Sequence, residues 1–396
     1  MPDLLYLANS RLPTEKANGL QIAQMCEAFA GAGYAVTLVT ARRANTPQMR
    51  AAGDLWTYYG IDRTFALRRL PCLDLFRLIP AERIPHVAFL IQTLTYLLVL
   101  AVWLAPRRAD VFYTRDLFIG LLIALTRPRA TLAYEVHQLH RSGLGRRVQG
   151  FVLRRSVAIP ITGHLAEQVR TLGARRVQVE HDGIRRARFA DLPARADAKR
   201  ALNIAPEAFV VGYAGRLHTM ALSKGLDTLV DAIARAAETG ADIHLLLVGG
   251  PEAGVQLLRE QWAALGLPPD RLHTVGQIPP DDVPRHLAAM DVGAMPLPWT
   301  EHFAYYASAI KLFEYMAAGC AVLASNLPST AEVVRDGESA LLPPPGDVAA
   351  FAAALLRLWG DRDLCARLGA QAQRDAEHYT WGARAARIRA FIEGGG

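Results

Sequence analysis

The chain has 396 residues, of which 52% are hydrophobic and 20% are charged. This length exceeds one typical domain, so we predict two, and the composition excludes a disordered chain because each half can bury a core. The formal charge of +7 favours anionic ligands such as phosphates or an acidic membrane surface. The basic residues are scattered, without a basic arm or an aromatic-basic RNA motif, so we predict no nucleic-acid partner.

The cysteines lie far apart in the chain and form no C-x-x-C pair: Cys26, Cys72, Cys320 and Cys365. This spacing indicates reduced thiols in a cytosolic protein. Met1 is followed directly by the apolar residues 4–8, without a basic leader or an apolar core of signal length. We therefore expect no export and a cytoplasmic location.

Short apolar runs alternate with longer helical patterns along the chain, which is typical of parallel sheets with helices on both faces. In the first half, a helix is predicted over residues 19–31. The predicted strands of that half are 3–8, 35–40, 65–70, 110–113, 131–136 and 157–161. We predict one doubly wound α/β domain over residues 1–190.

The pattern changes over residues 182–205, which are rich in Arg, Ala and Pro, and a strong strand follows at 209–213. We therefore place the domain boundary near residue 190. Residues 191–378 repeat the architecture of the first half, with further strands at 244–248, 273–275, 292–295 and 321–324. Residues 379–396 form an amphipathic helix, which either crosses back onto the first domain or lies on the surface of the second.

Residues 87–105 contain no charge and are long enough to span a bilayer. The strands predicted on either side should belong to one sheet, and a single span would place them on opposite sides of the membrane. We therefore favour a buried core helix, then a helix whose exposed face docks on a membrane, and last a span. Basic residues nearby suit docking: Arg68, Arg69, Arg77, Arg83, Arg107 and Arg108.

The strongest local motif begins where strand 209–213 ends at Gly215 and Arg216, and where Lys224 and Gly225 open the next helix. Glycine permits close backbone approach, Arg216 offers a planar fork to phosphate oxygens, and Lys224 adds a charge near the positive end of a helix. The motif predicts a diphosphate site. The alternative is a solvated basic pair at a strand–helix turn.

A second motif places Ser308, Lys311 and Glu314 at three-residue spacing on one helical face. A carboxylate in this position can accept both hydroxyls of a ribose, and the helix N-terminus offers amide donors to phosphate. The alternative is that Lys311 and Glu314 form a surface ion pair.

The two motifs together resemble the retaining glycosyltransferases of family 4, whose GT-B fold has two Rossmann-like doubly wound domains facing across a cleft. The segment SAIKLFEYMAAG resembles a variant of that family with the form S-P-L-K-L-F-E-Y-M-A-A-G. Glu314 matches the second carboxylate of the family's E-x7-E motif, whereas the first position is Tyr306. The resemblance implies that Arg216 and Lys224 grip the donor diphosphate and that Glu314 holds the ribose.

The resemblance also implies roles for residues outside these motifs. The backbone near Gln277 and Ile278 would face the nucleotide base, and Gly19 would lie in a glycine loop that approaches the donor phosphate and the acceptor. His137, at the end of a strand, would touch the transferred sugar or the acceptor. A histidine satisfied within the core is the alternative for His137. In this scheme the N-terminal domain binds the acceptor and the C-terminal domain binds the nucleotide sugar.

No motif positions a carboxylate as a nucleophile, and the D-x-D of Asp361 and Asp363 lies at a helix start far from either motif. We therefore predict transfer without a metal or other cofactor, with a nucleotide diphosphate sugar as co-substrate. The resemblance implies retention by front-face departure of the diphosphate, and it favours a UDP-sugar. A glycan or lipid-linked acceptor is expected, together with peripheral contact at the inner face of an anionic membrane.

Two other functions remain open. A sugar-nucleotide epimerase of similar fold would need acid–base carboxylates that we cannot place, and an inactive glycan- or nucleotide-binding scaffold is suggested by Tyr306. A dinucleotide dehydrogenase is disfavoured because the G-x-G-x-x-G fingerprint is missing. The retention of Arg216, Lys224 and Glu314 favours the glycosyltransferase.

Overall fold

A computed structural model describes residues 1–75, 85–219, 222–308 and 310–394. The chain divides into two compact units, one formed by Met1–Asp182 with Trp381–Gly396 and the other by Gly183–Thr380. The division falls between residues 182 and 183, a few residues before the boundary predicted near 190. The Arg- and Pro-rich segment that suggested the boundary therefore lies within the second unit.

The first unit contains a seven-stranded parallel sheet in the order β3-β2-β1-β4-β5-β6-β7. Its strands are β1 Asp3–Ala8, β2 Ala35–Ala41, β3 Ala66–Leu70, β4 Val111–Thr114, β5 Thr131–Val136, β6 Val157–Pro160 and β7 Arg176–Val177. Most central strands are buried along nearly their whole length, as expected for a parallel sheet covered on both faces. The strand order reverses between β1 and β4, which defines a switch point at the carboxyl edge of the sheet.

The helices of the first unit connect these strands. They are α1 Ala17–Gly31, α2 Pro47–Ala51, α3 Leu55–Tyr59, α4 Pro85–Leu104, α5 Leu117–Thr126, α6 Gly143–Leu153 and α7 Gly163–Thr171. Several helices begin where a side chain caps the free amides: Asp116 accepts from two amides of α5, Ser142 from one of α6 and Thr162 from one of α7.

The second unit contains a six-stranded parallel sheet in the order β12-β11-β8-β13-β14-β15. Its strands are β8 Phe209–Arg216, β11 Ile243–Gly250, β12 Leu272–Gly276, β13 Val292–Met295, β14 Ala321–Ala324 and β15 Ala340–Leu341, and a separate antiparallel pair is formed by β9 His218–Thr219 and β10 Leu222–Ser223. Counted within the unit, this order repeats the 3-2-1-4-5-6 order of the first six strands of the other sheet. The switch point here lies between β8 and β13.

Helices cover both faces of the second sheet, and two buried apolar clusters lie beneath them. The helices are α8 Arg195–Ala201, α9 Leu226–Ala237, α10 Glu252–Ala264, α11 Val283–Leu287, α12 Ile310–Ala317, α13 Pro328–Ala331, α14 Val348–Gly360 and α15 Arg362–Ala376. Asp361, one carboxylate of the D-x-D sequence, caps α15 by accepting from the Leu364 amide at 2.8 Å. This gives Asp361 a structural role.

The C-terminal helix α16, Trp381–Glu393, belongs to the first unit. Its apolar residues join the core on the α1 face of the first sheet: Trp381, Ala385, Ile388 and Ile392. The amphipathic pattern that predicted this helix thus corresponds to a face that packs into the first unit, so the alternative of a surface helix on the second unit does not hold.

Helix α4 contains residues 87–104 of the uncharged stretch 87–105. One face is held to the sheet by polar contacts as well as by packing, because Tyr96 Oη donates toward the carbonyl oxygens of Ala8 and Val39 at 3.2 and 3.3 Å. Val87–Leu104 is long and apolar enough to cross a membrane by length and composition, and a third of it is buried. The preferred prediction of a buried core helix is therefore correct for one face only. Arg77 and Arg83, which were part of the docking interpretation, lie outside the described residues.

Candidate donor site

The carboxyl ends of β8 and β11 approach each other closely in the second unit. Gly215 has φ +142° and Gly249 has φ +136°, both in the region that favours glycine. A Cβ atom on Gly249 would lie 2.0 Å from the carbonyl oxygen of Gly215, so a side chain cannot be placed there. Arg216, the last residue of β8, is exposed. Two glycines in this backbone region therefore allow the strand ends to approach, and the exposed Arg216 lies directly after Gly215.

Lys224 and Gly225 lie at the start of α9, against the loop that follows β13. Gly225 has φ +72°, and a Cβ there would lie 1.8 Å from the carbonyl oxygen of Pro296. The Lys224 ammonium lies 4.3 Å from the centroid of the Phe303 ring. Burial lowers the pKa of Lys224 from its usual value. The loops that follow β8 and β13, on either side of the switch point, are thus packed together. The partly desolvated ammonium of Lys224 lies where they meet.

Helix α12 places the second motif beside the first. The Cε atom of Lys311 lies 3.2 Å from where a Cβ on Gly215 would be, so this side chain covers the glycine turn. Lys311 Nζ also lies 2.6 Å from Glu314 Oε2, and the Glu314 side chain is buried. The predicted ion pair therefore exists, but its carboxylate is not on the surface. Ser308 lies just before α12, and residue 309 is outside the described residues.

Arg188 is a cation near Glu314 that the sequence analysis missed. Its Nη1 atom lies 3.9 Å from Glu314 Oε1, and its Nε atom lies 3.4 Å from Asp281 Oδ1. The Arg188 side chain is 11% exposed, and within the described part of the chain its Nε and Nη2 atoms have no hydrogen-bond partner. Glu314 is thus flanked by two cations, Lys311 on one carboxylate oxygen and Arg188 on the other.

The predicted base-facing residues follow β12 at the same edge of the sheet. Gln277 is exposed, and its Cγ atom lies 3.4 Å from where a Cβ on Gly250 would be. Ile278 packs against one of the two buried clusters. Tyr306, which stands where the family has its first carboxylate, ends the π-helical turn His302–Tyr306. Turns of this type are frequent at functional sites.

In the first unit, His137 follows β5 and belongs to a buried polar network. Its Nε2 atom lies 2.5 Å from Glu135 Oε1, which also accepts from Gln21 Nε2 at 2.9 Å. Tyr113 Oη donates to the second oxygen of Glu135. Glu135 is fully buried while the His137 side chain is 20% exposed, so the network ends at an imidazole that is accessible from outside.

The network also includes two residues that are distant from His137 in the sequence, Asp182 and Arg384. Gln21 Nε2 donates to Asp182 Oδ1 at 2.7 Å, and Arg384 Nη1 donates to Glu135 Oε2 at 3.3 Å. Burial opposes ionisation of Glu135, yet Arg384 and the hydrogen bond from His137 hold the pKa of Glu135 well below its usual value. Burial raises the pKa of Asp182. His137 is thus oriented by an ionised carboxylate that a buried arginine neutralises.

Gly19, the other predicted residue of this unit, is buried on α1. A Cβ there would lie 2.2 Å from Tyr59 Oη and 2.4 Å from Thr14 Cγ2. Tyr59 Oη in turn accepts from the Thr14 amide at 2.8 Å. Packing of the preceding turn therefore explains the glycine, and its role toward a donor phosphate stays a prediction.

The predicted residues thus fall into two groups. Those of the second unit lie along the carboxyl edge of its sheet, beside glycine turns and helix starts: Gly215, Arg216, Lys224, Gln277, Ile278, Ser308, Lys311 and Glu314. His137 and Gly19 belong to the first unit.

Comparison with known proteins supports the predicted fold class. The fold is that of solved GT-B glycosyltransferases, as predicted. The chain is similar to a sucrose-phosphate synthase from Thermosynechococcus elongatus, with a TM-score of 0.74 and 20% identity over 100% of this chain and 99% of that one. It is also similar to Anabaena HepE in complex with UDP and glucose, with a TM-score of 0.68 and 19% identity over the whole of both chains.

The family match lies within the second unit. Residues 208–361 match the model of the family described as glycosyl transferases group 1. The D-inositol 3-phosphate glycosyltransferase of Nocardia farcinica is 33% identical over 47% of this chain and 41% of its own length. The phosphatidyl-myo-inositol mannosyltransferase of Mycobacterium leprae is 33% identical over 43% of each. The matched stretch spans less than half the length of these curated relatives.

Proposed function

We propose that the protein is a retaining glycosyltransferase of family 4 that transfers a sugar from a nucleotide diphosphate donor. The observation that carries this proposal is the placement of Gly215, Lys224, Lys311 and Glu314 around one switch point of the second sheet. Ligands of open α/β sheets bind at such points, outside the carboxyl ends of the strands. The match to glycosyl transferases group 1 covers all four residues.

The donor is proposed to bind along this edge through its diphosphate, ribose and base. Arg216 and Lys224 contact the diphosphate, and the N-terminus of α12 with Ser308 adds amide and hydroxyl donors. Glu314 accepts the ribose hydroxyls. To do so it must share its oxygens between the hydroxyls and Lys311.

The base is proposed to lie beside the backbone at Gln277 and Ile278. Uridine is favoured by the family resemblance, and UDP is the nucleotide in the HepE complex.

The transfer step is proposed to proceed without a metal. The bond from the anomeric carbon to the diphosphate oxygen breaks, the acceptor oxygen bonds to the same face of that carbon, and the departing diphosphate takes the acceptor proton. Charge grows on the diphosphate as the bond breaks, and fixed cations stabilise it without reorganisation. Arg216 and Lys224 supply this stabilisation, while His137, held by Glu135, contacts the transferred sugar or the acceptor.

The acceptor is proposed to be lipid-linked, for a cytoplasmic enzyme of glycan or polysaccharide biosynthesis that works at the inner face of a membrane. The Mycobacterium leprae relative is named for a phosphatidyl-inositol acceptor and the Nocardia farcinica relative for an inositol phosphate. Both names describe a phosphorylated polyol, so acceptors of this kind belong in the first assays.

The donor proposal is tested by thermal stabilisation with a panel of nucleotide sugars and by slow hydrolysis of each one. A ligand that binds only the folded chain raises the melting temperature. We expect one nucleotide sugar to stabilise the protein, and Arg216→Ala and Lys224→Ala to lose this stabilisation. Arg235→Ala, which changes an exposed arginine on α9, is the control and should respond like the parent.

The outcomes of this experiment separate the functions considered. Stabilisation without hydrolysis or transfer would indicate a binding scaffold, in line with Tyr306. Conversion of the nucleotide sugar to an isomer, without release of free sugar or nucleotide diphosphate, would indicate an epimerase. The proposal fails if no nucleotide sugar stabilises the parent or if the two alanine variants respond as strongly as the parent.

A further inference from the structure

The outer face of helix α4 carries a row of exposed aliphatic side chains. Val87, Leu90, Leu94, Leu98 and Val102 are between 51% and 75% exposed. They recur at intervals of three and four residues, so they lie on one side of the helix and form a stripe of roughly 22 Å at 1.5 Å per residue. A contiguous exposed apolar surface of this kind marks an interaction site.

The opposite face of α4 is fixed to the first unit. Tyr96, Leu100 and Leu104 on this face are at most 2% exposed. Gln92 Nε2 donates to Asn9 Oδ1 at 2.9 Å, and Asn9 Nδ2 donates to Thr93 Oγ1 at 3.0 Å. The helix is therefore a layer of the α/β unit, and its stripe is held facing outward.

Neighbouring helices extend the exposed apolar surface. Phe118 and Leu125 on α5 are 44% and 60% exposed and lie two turns apart, so they share one side of that helix. Helix α5 packs between α4 and α6, and Leu144 near the start of α6 is 75% exposed. Three adjacent helices thus expose large apolar side chains.

The charges around this surface are mostly positive. Residues 85–156 contain ten arginines and three acidic residues, and one of the three, Glu135, is buried. Exposed arginines lie near both ends of the helices: Arg107, Arg108 and Arg129 near the amino ends of β4 and β5, and Arg141, Arg146 and Arg147 beyond the carboxyl end of β5. The Arg107 guanidinium lies 4.2 Å from the centroid of the Trp103 ring at the end of α4.

We propose that the outer face of α4, with α5 and the start of α6, docks on an anionic lipid bilayer. Aliphatic side chains enter the boundary between headgroups and acyl chains, while the arginines at both ends contact anionic headgroups. A second copy of this chain would bring arginines against arginines at a symmetric interface, which disfavours self-association. The docking places the first unit on the surface where a lipid-linked substrate is found, but it does not depend on sugar transfer.

The test is flotation of the purified full chain with phosphatidylcholine vesicles, prepared with and without phosphatidylglycerol. We expect the parent to float with the anionic vesicles, and the Leu94→Gln/Leu98→Gln variant to partition at least about tenfold more weakly. Leu257→Gln, which changes a leucine that is 62% exposed on α10 of the second unit, is the matched control and should float like the parent.

A second set of variants tests the electrostatic part. Arg107→Gln, Arg108→Gln and Arg129→Gln together should reduce flotation on anionic vesicles and remove most of its salt dependence, whereas Arg367→Gln on α15 should change neither. Urea unfolding of each variant verifies that the exposed substitutions leave the fold intact.

The inference is overturned if the parent does not float, or if the leucine variant floats as well as the parent. It is also overturned if light scattering finds a dimer of the parent that the leucine variant dissociates, with no vesicle binding by either, because the stripe would then bind a second copy. Nucleotide-sugar hydrolysis in the leucine variant should equal that of the parent, so a failure of the donor proposal is detected separately.

Discussion

Arg384 donates a hydrogen bond of 3.3 Å to Glu135, although the two residues are 249 positions apart in the chain and both side chains are at most 1% exposed. The pair joins α16 to β5, the strand that precedes His137. Arg384 Nη2 also donates to the carbonyl oxygen of Glu180 at 3.2 Å. One buried guanidinium thus contacts both the network beneath His137 and the segment where the chain leaves the first unit.

We predict that Arg384→Met destabilises the first unit strongly. Removal of one partner leaves the other charge buried and uncompensated, which costs about 3–5 kcal/mol of unfolding free energy. Urea unfolding monitored by tryptophan fluorescence measures this loss. Arg63→Met, in an exposed pair with Asp54, should cost less than about 1 kcal/mol. If the Glu135→Gln/Arg384→Met double variant is no more stable than Arg384→Met alone, the two residues are not coupled as described.

The ion pair between Glu135 and Arg384 predicts that the unfolding free energy depends on pH in the acid range. The pKa of Glu135 lies below its usual 4.5 in the folded chain, so ionised Glu135 contributes stability above about pH 4.5, and this contribution is lost as the pH falls through the folded pKa. The difference in unfolding free energy between the parent and Glu135→Gln should therefore be constant near neutral pH and decrease in acid. Unfolding curves at a series of pH values measure it. A difference that grows as the pH falls would contradict the assignment.

From the lowered pKa of Lys224 we predict that kcat/KM for the nucleotide sugar decreases at alkaline pH. Burial lowers its pKa below the usual 10.5, so its charge is lost earlier than that of an exposed lysine. In the proposed enzyme, kcat/KM for the nucleotide sugar should decline as the pH rises through this lowered pKa, because this ratio reports ionisation of the free enzyme. Lys224→Arg keeps the charge and should shift the decline to higher pH. An unchanged profile in this variant would remove Lys224 from the diphosphate site.

Gly225→Ala tests the close approach of the loops after β8 and β13. The new Cβ would lie 1.8 Å from the Pro296 carbonyl oxygen, so the loop bearing Lys224 must move. Gly240 has a similar positive φ, +87°, but nothing lies within 4 Å of a Cβ there, so Gly240→Ala isolates the cost of the backbone conformation. We expect both variants to be destabilised by about 1 kcal/mol or more. Only Gly225→Ala should also lose stabilisation by the nucleotide sugar, and equal loss in both would contradict the prediction.

Glu314→Gln tests the proposed ribose contact. Hydrogen bonds to charged groups contribute about 1.5–3 kcal/mol, so KM for the nucleotide sugar should rise by roughly tenfold to a hundredfold with a smaller change in kcat. The exposed Glu338→Gln is the control. Steady-state kinetics distinguish the loss of a ribose contact from a purely structural effect of Glu314→Gln. The structural effect would lower kcat and the melting temperature while KM stays the same.

Much of the fold was predictable because the two sheets are built from short apolar runs separated by helical patterns. The strands 292–295 and 321–324 were predicted with the bounds that the structure has. The structure divides the chain a few residues before the boundary predicted near 190, because composition reports exposure and not membership of a unit. Ile184 is buried in a cluster of the second unit, and its amide donates to the Tyr379 carbonyl oxygen, so this unit begins before the Arg-rich segment ends.

The site was predictable only where local sequence defines it. The three-residue spacing of Lys311 and Glu314 predicted that they lie on one face of α12, where they form an ion pair, whereas Ser308 precedes the helix. Glu135 could have been found as well, because it lies two positions before His137, a spacing that places side chains on the same side of an extended segment. Arg188 and Arg384 could not, since their contacts with Glu314 and Glu135 arise from tertiary packing between residues more than a hundred positions apart in the chain.

The position of α16 within the first unit has a consequence for how the protein is made. Residues 1–182 emerge from the ribosome long before residues 381–394. The carboxylate of Glu135 therefore lacks its partner Arg384 until the whole second unit has been synthesised. The second unit is continuous in the chain and can complete its core first. Of the two units, the first therefore begins its synthesis earlier but completes its fold later. A stalled or truncated product would expose the apolar surface that α16 covers.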